Sequence, residues 1–308
     1  MALHPALKQL IDAKLAHARA PQWEMPISAV REAFRTLWTP AITGEPSAVA
    51  RIEDLRIPAS DAAIPARLYA PRPTVQRPLL VYFHGGGYVK GGIEESDAFC
   101  RRLALACDRS VLSIAYRLAP ENRFPAALDD AVAATRWAAA QGAGLGGVRG
   151  EVVVCGESAG GNLAALACLR LRSDVALAIR QQILLQPVVD FTMSSASIAM
   201  ASTECLVPRE DLAWYYRTYG GGACDPRDPA VSPLFADDLA GLPRALVIAA
   251  EYDTLRDEAR AYAQRLMAAG VATQHVCAEG MIHGYLQMRG LVPDAVQRAL
   301  DTIGDALG

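Results

Sequence analysis

The apolar positions fall into short solid runs separated by longer stretches of helical composition. Residues 78–84 (PLLVYFH), 110–116 (SVLSIAY) and 151–156 (EVVVCG) are runs of β-branched, aliphatic and aromatic residues without polar alternation. Such runs suit strands that are buried on both faces. Residues 180–186, 244–250 and 271–277 read as further strands. Between the strands lie helical segments: 96–108, the alanine-rich 125–141 opening on Pro125, 162–172, 255–269 and 294–307. This alternation predicts a mostly parallel sheet with helices on both faces. Right-handed crossovers would then gather the functional loops at the C-terminal strand ends.

Two stretches break the rhythm. Residues 1–46 read as one or two helices, with Leu3, Leu7, Leu10, Ile11 and Leu15 along roughly one face. Residues 188–233 form a long connection rich in Ser, Gly, Pro and aromatic residues, within which 208–219 has the pattern of an amphipathic helix. A structureless loop of that length is rare in a compact domain. Both stretches therefore read as a lid over the strand ends. The expected division is a helical cap at 1–46 and a main domain at 47–308, with 188–233 adding to the cap.

Composition narrows the class. The 308 residues are 52% hydrophobic and 20% charged, a globular balance. Lys and Arg number 30 against 33 Asp and Glu, a formal charge of −3 that argues against a nucleic-acid surface or a polybasic membrane anchor. Apolar runs stay below the roughly 18 residues of a membrane span, so no membrane insertion is expected. Lys8, Asp12, Lys14 and Arg19 interrupt the N-terminal region, unlike the apolar core of a signal peptide, and the expected location is cytoplasmic. The seven cysteines (Cys100, Cys107, Cys155, Cys168, Cys205, Cys224 and Cys277) are odd in number and scattered. They predict neither a disulfide framework nor a structural metal site, and all seven read as small buried apolar residues.

The candidate chemistry lies in the turns after the predicted strands. Gly156-Glu157-Ser158-Ala159-Gly160 is a Gly-x-Ser-x-Gly pentapeptide between a strand and a helix. In that context the serine sits on a sharp turn with its hydroxyl exposed, and the glycines leave room for the turn. Chance alone would supply about 0.08 such pentapeptides in this composition, so the context carries the argument. His84-Gly85-Gly86-Gly87 follows the strand at 78–83. Its backbone N–H groups suit a developing oxyanion. His84 reads as a structural residue that holds this loop.

A serine nucleophile needs a general base, and the base needs an orienting acid. Of five histidines, His4 and His17 fall in the N-terminal helical segment, His84 precedes the nucleophile, and His275 falls inside a strand pattern. His283, in Gly280-Met281-Ile282-His283-Gly284, is the candidate base. Asp253, just after the strand at 244–250, is the candidate acid, with Asp190 the second choice. Asp257 falls in a first helical turn, where the helix dipole explains it. The order Ser158, Asp253, His283 is that of α/β-hydrolases.

Five blocks, HGGGYVKGG (84–92), YRLAPENRFPAALDD (116–130), GESAGGN (156–162), EYDTLRDE (251–258) and GMIHGY (280–285), together resemble the hormone-sensitive-lipase family of α/β-hydrolases, and its bacterial esterases in particular. The resemblance implies an eight-stranded, mostly parallel sheet, an N-terminal helical cap and a Ser–Asp–His triad. It also implies an oxyanion hole from the N–H groups of Gly85, Gly86 and Ala159, and dimerisation through the last strand, here 271–277. Glu157 stands where that family often has Asp, Thr254 where it often has Pro, and Asn122 where it often has His. Glu157 reads as a brace for neighbouring loops.

The activity expected is hydrolysis of short- to medium-chain carboxylic esters through an acyl-enzyme, with no metal or cofactor. Tyr88, Trp214, Tyr215 and Tyr285 are candidate pocket residues. Activity is expected to rise with pH as His283 loses its proton, near about 6.5 if the site leaves it unshifted. An amide or formamide hydrolase would use the same residues, and a small-molecule receptor on a hydrolase scaffold is the reading from a different class.

Overall fold

A computed structural model describes residues 2–16, 20–59, 62–73, 77–222 and 224–308. His17 lies outside the described residues. Eight strands form one sheet: β1 (Arg51–Ile57), β2 (Ile64–Ala70), β3 (Leu79–Phe83), β4 (Val111–Ile114), β5 (Glu151–Glu157), β6 (Ala178–Leu185), β7 (Arg244–Tyr252) and β8 (Thr273–Ile282). Their spatial order is β1-β2-β4-β3-β5-β6-β7-β8. From β4 to β8 every pairing is parallel, while β2 runs antiparallel to both β1 and β4. Nine helices accompany the sheet among the described residues: α1 (Pro5–Ala16), α2 (Ile27–Leu37), α3 (Pro40–Thr43), α4 (Ile93–Cys107), α5 (Ala126–Gln141), α6 (Ala159–Leu171), α7 (Arg209–Gly220), α8 (Arg256–Ala268) and α9 (Pro293–Leu307).

The solid apolar runs have a direct cause. Successive side chains of a strand point to opposite faces, and here each face carries its own core. Leu79, Val81 and Phe83 of β3 pack with Leu128 of α5, Leu163 of α6 and Leu266 of α8 in one cluster. Leu80 and Tyr82 pack with Phe99 and Leu103 of α4 and Leu300 and Ile303 of α9 in the other. Leu7 and Ile11 of α1 join this second core and are fully buried. The sheet is covered on both sides, so its central strands have no polar face.

Several boundaries differ from those the sequence predicts. The hairpin β1–β2 belongs to no predicted element. Strand β8 starts at Thr273 and runs on to Ile282, so His283 follows it at once. Helix α6 begins at Ala159, directly after Ser158. Among the described residues, 1–46 holds three helices, α3 being a single short turn, and a 3₁₀ turn at Gln22–Glu24, while 188–233 holds α7 and a 3₁₀ turn at Ala196–Ala199, a further one starting at Pro233. Five cysteines are buried, but Cys224 is half-buried and Cys277, on the edge strand, is exposed, so the buried reading does not extend to these two. No helix among the described residues is long and apolar enough to cross a membrane.

Candidate active site

Ser158 stands between β5 and α6 with φ +56° and ψ −118°. The glycines on either side make this turn possible. A Cβ on Gly156 would lie 2.0 Å from the Gly160 carbonyl oxygen, and one on Gly160 would lie 2.0 Å from that of Phe83. Neither position can hold a side chain. The turn is tied to the sheet on both sides: the Ser158 N–H donates to the Leu185 carbonyl (2.8 Å), and the Val188 N–H donates to the Ser158 carbonyl (3.2 Å).

Asp253 and His283 meet Ser158 from the ends of β7 and β8. The Ser158 hydroxyl lies 2.9 Å from His283 Nε2, and His283 Nδ1 lies 2.8 Å from Asp253 Oδ2. A carboxylate facing Nδ1 places the imidazole proton there and leaves Nε2 to accept from the hydroxyl. Asp253 is fully buried, and its Oδ1 accepts the Leu255 N–H at 3.0 Å. Burial alone would push the His283 imidazolium pKa down. The Asp253 carboxylate, by charge and by hydrogen bond, and the Glu157 carboxylate together offset this, and the net shift is upward.

The glycine loop passes beside the serine. A Cβ on Gly85 would come within 3.5 Å of Ser158 Cβ. Gly86 (φ +125°) has no room for a side chain, since a Cβ there would lie 2.0 Å from the Lys90 carbonyl oxygen. Ala159 is the first residue of α6, so its N–H has no acceptor within the helix. His84 is buried and stacks on Tyr116 with centroids 4.2 Å apart. Its Nδ1–H donates to the Gly85 carbonyl (2.8 Å), and burial lowers its pKa to about 4. A neutral ring pinned within its own loop holds backbone rather than moving protons.

The other sequence candidates separate clearly. Glu157 Oε2 accepts Gln287 Nε2–H at 2.8 Å and the Tyr82 hydroxyl at 3.4 Å, tying β5 to β3 and to the turn after His283. Burial raises its pKa. Asp190 accepts from the Thr192 N–H and hydroxyl and the Ser194 hydroxyl, so it caps its own turn. Asp257 accepts the Ser197 N–H and pairs with Arg256. Gln186 had no sequence signal beyond a strand end, yet it brackets His283. Its Nε2–H donates to the Ile282 carbonyl (3.0 Å), and its Oε1 accepts the Gly284 N–H (2.8 Å). These partners lie about a hundred residues further along the chain, and only the fold brings them together.

A cavity of about 680 Å³ opens over Ser158 and His283. Its walls come from α1 (Leu10), α2 (Phe34), α7 (Leu212, Tyr215) and the glycine loop (Gly86). Of the four aromatic residues expected to line it, Tyr215 does so. Tyr88 is instead buried beneath the loop, stacked on Tyr219 at 3.9 Å, because its positive φ of 64° turns it inward. Trp214 packs beside Tyr215, away from the lining. Tyr285 is buried in the core on the opposite face of the sheet.

Comparison with known proteins agrees with this geometry. A family described as having the alpha/beta hydrolase fold matches residues 80–287. The carboxylic ester hydrolase LipN of Mycobacterium tuberculosis is 40% identical over 243 residues, which span 77% of this chain and 65% of LipN. An ethyl acetate hydrolase of Pseudomonas putida is 33% identical over 96% of this chain and 95% of its own length. The structure of a hyperthermophilic esterase from the archaeon Pyrobaculum calidifontis superimposes with a TM-score of 0.93 at 38% identity, covering 100% of this chain and 98% of that one. The chain belongs to the α/β-hydrolases, in the hormone-sensitive-lipase family.

Proposed function

We propose that this protein, a carboxylic ester hydrolase, works through an acyl-enzyme on Ser158 and prefers short- to medium-chain acyl groups. The observation that carries this reading is the continuous hydrogen-bond chain from Ser158 through His283 to Asp253 at the floor of the cavity. His283 Nε2 takes the hydroxyl proton as Ser158 Oγ attacks the ester carbonyl. The N–H groups of Gly85, Gly86 and Ala159 stabilise the oxygen that becomes negative. Collapse of this intermediate expels the alcohol, which receives the proton from His283. Water, deprotonated by His283, then cleaves the acyl-enzyme and releases the carboxylic acid. Asp253 fixes the imidazole tautomer and stabilises its cationic form.

Supporting this reading, segments 1–46 and 188–233 both contribute walls to the cavity, which gives them the part of a cap. Among the described residues no strand pairs with the outer side of β8, although the His4 N–H donates to the Gly280 carbonyl (3.0 Å), and the N–H and C=O groups before Gly280 suit strand pairing with a second copy. A complete donor–acceptor chain at the serine favours turnover over a binding-only receptor, and an ester-to-amide rate comparison separates the two hydrolase readings. The direct test is hydrolysis of p-nitrophenyl acetate by the wild type and Ser158→Ala. The variant should lose at least about 10⁴-fold in kcat. Equal rates in the two proteins would remove Ser158 from the mechanism.

A further inference from the structure

One charged group in the cavity wall has no part in this mechanism. Lys90 follows the glycine loop, and its ammonium sits among the lining residues. Nζ donates to Gln22 Oε1 at 2.7 Å and lies 4.9 Å from the Phe34 ring centroid and 5.2 Å from that of Tyr215. The Tyr215 hydroxyl donates to the same Gln22 oxygen at 3.0 Å. Among the described residues Gln22 is the one hydrogen-bond acceptor of this ammonium, which has three N–H donors. Burial pushes the Lys90 pKa down to about 7.

Among the described residues no carboxylate is bonded to Lys90 directly. Asp211 of α7 faces both Lys90 and Lys14 of α1, with Lys14 Nζ 3.7 Å from its carboxylate. Lys14 also donates to the Leu206 carbonyl at 2.7 Å. Two lysines thus share one carboxylate. Of the other acids on the cavity wall, Glu95 meets Arg35 at 3.6 Å, an arginine that also pairs with Glu32, and Glu157 is held by Gln287 and Tyr82 beside the serine. A buried ammonium costs free energy unless it meets an anion. A single ammonium with one side-chain acceptor matches one monoanion better than a dianionic phosphate.

We propose that Lys90 is a specificity residue that selects esters bearing a second, ionised carboxylate, such as half-esters of dicarboxylic acids. This rests on the ester-hydrolase reading, whose chemistry it leaves unchanged. A bound carboxylate would accept from the Lys90 ammonium while the ester carbonyl lies at Ser158. The rings of Phe34 and Tyr215 would keep water from this pair and strengthen it.

The test is a ratio of kcat/KM values, for a carboxylate-bearing ester over a neutral ester of equal length, followed by pH-stat titration. Monoethyl glutarate and adipate place the carboxylate on the acyl side, and 4-butyryloxybutanoate places it on the alcohol side. Lys90→Met should lower the ratio about ten-fold or more in at least one arm, and Lys90→Arg should restore most of it. The substrate carboxylate, with a pKa near about 4, stays ionised from pH 6 to 9. Lys90 is charged below about 7, so the wild-type ratio should fall as pH rises, whereas the Met variant's ratio should stay flat. A lysine that only staples the cap would lower both substrates together and leave the ratio unmoved in every arm, which overturns the proposal. If the wild type cleaves no ester, calorimetric binding of monoethyl adipate to Ser158→Ala, with and without Lys90→Met, decides the matter. Weaker binding in the double variant sustains the carboxylate site while the hydrolase reading falls, and equal binding rejects the site.

Discussion

Ser158 is held at φ +56°, a setting that costs a non-glycine residue on the order of 1–3 kcal/mol. The surrounding backbone bonds enforce it, and the result is a hydroxyl aimed at His283. His283, the proposed base, must be neutral to act, and the carboxylates of Asp253 and Glu157 raise its pKa above the ordinary 6.5 against the effect of burial. Activity should therefore fall as pH drops, with its half-point above 6.5 rather than at it. Asp253→Asn removes a charge that raises the pKa and leaves the tautomer unguided. It should lower kcat by about 10⁴-fold and move the acidic limb of kcat/KM to lower pH. A limb that stays in place in Asp253→Asn would mean that another group sets it. The three side chains that meet here, the proposed triad, were legible because each is announced locally: a glycine-flanked serine, an aspartate after a strand, a histidine in a turn. Gln186, Gln22 and Lys90 were not, since each acts on partners 68 to 193 residues away. Three of the four pocket aromatics, Tyr88, Trp214 and Tyr285, lie away from the lining for a related reason. Residue type gives no sign that Tyr88 has a positive φ or that Tyr285 faces the far core.

At the level of elements, the site depends on β5 and α6 meeting at a turn with no spare volume. The Gly160 position faces the Phe83 carbonyl so closely that even one methyl group must displace β3 or α6. Gly160→Ala should destabilise the fold by about 3 kcal/mol, read from urea unfolding. A cost below about 0.5 kcal/mol would show that the two elements have slack. The buried strands β3 to β7 were readable because two apolar cores demand unbroken apolar runs. The β1–β2 hairpin was not. Its RIEDLRI sequence looks like a polar loop, yet Asp54 and Arg67 are register partners across the hairpin and form an ion pair at 2.6 Å. Charge on an edge strand pairs laterally, and one strand read alone hides its mate. The end of β8 was hidden similarly. Glu279-Gly280 suggests a turn, but the Gly280 N–H donates to Glu251 Oε2 at 2.7 Å and the strand continues after a register shift against β7.

For the molecule as a whole, the sheet ends in two edges, β1 and β8, and carries a cavity above its strand ends. Pairing of two β8 edges predicts a particle of about twice the 32.9 kDa chain mass by light scattering at micromolar concentration. A mass equal to one chain would reject that pairing. The cavity sets a second expectation. Each methylene that an acyl chain buries is worth about 0.8 kcal/mol, or roughly four-fold in kcat/KM, as long as apolar wall remains to receive it. The wall here is finite, because α1, α2 and α7 close over a cavity of about 680 Å³. A p-nitrophenyl ester series from acetyl to dodecanoyl should therefore climb through the short acyl groups and turn over at medium length. It should fall at least ten-fold below its maximum by dodecanoyl, where the chain no longer fits without displacing the cap. A continued climb to dodecanoyl would mean that the cap swings aside and that the closed cavity does not set the acyl preference.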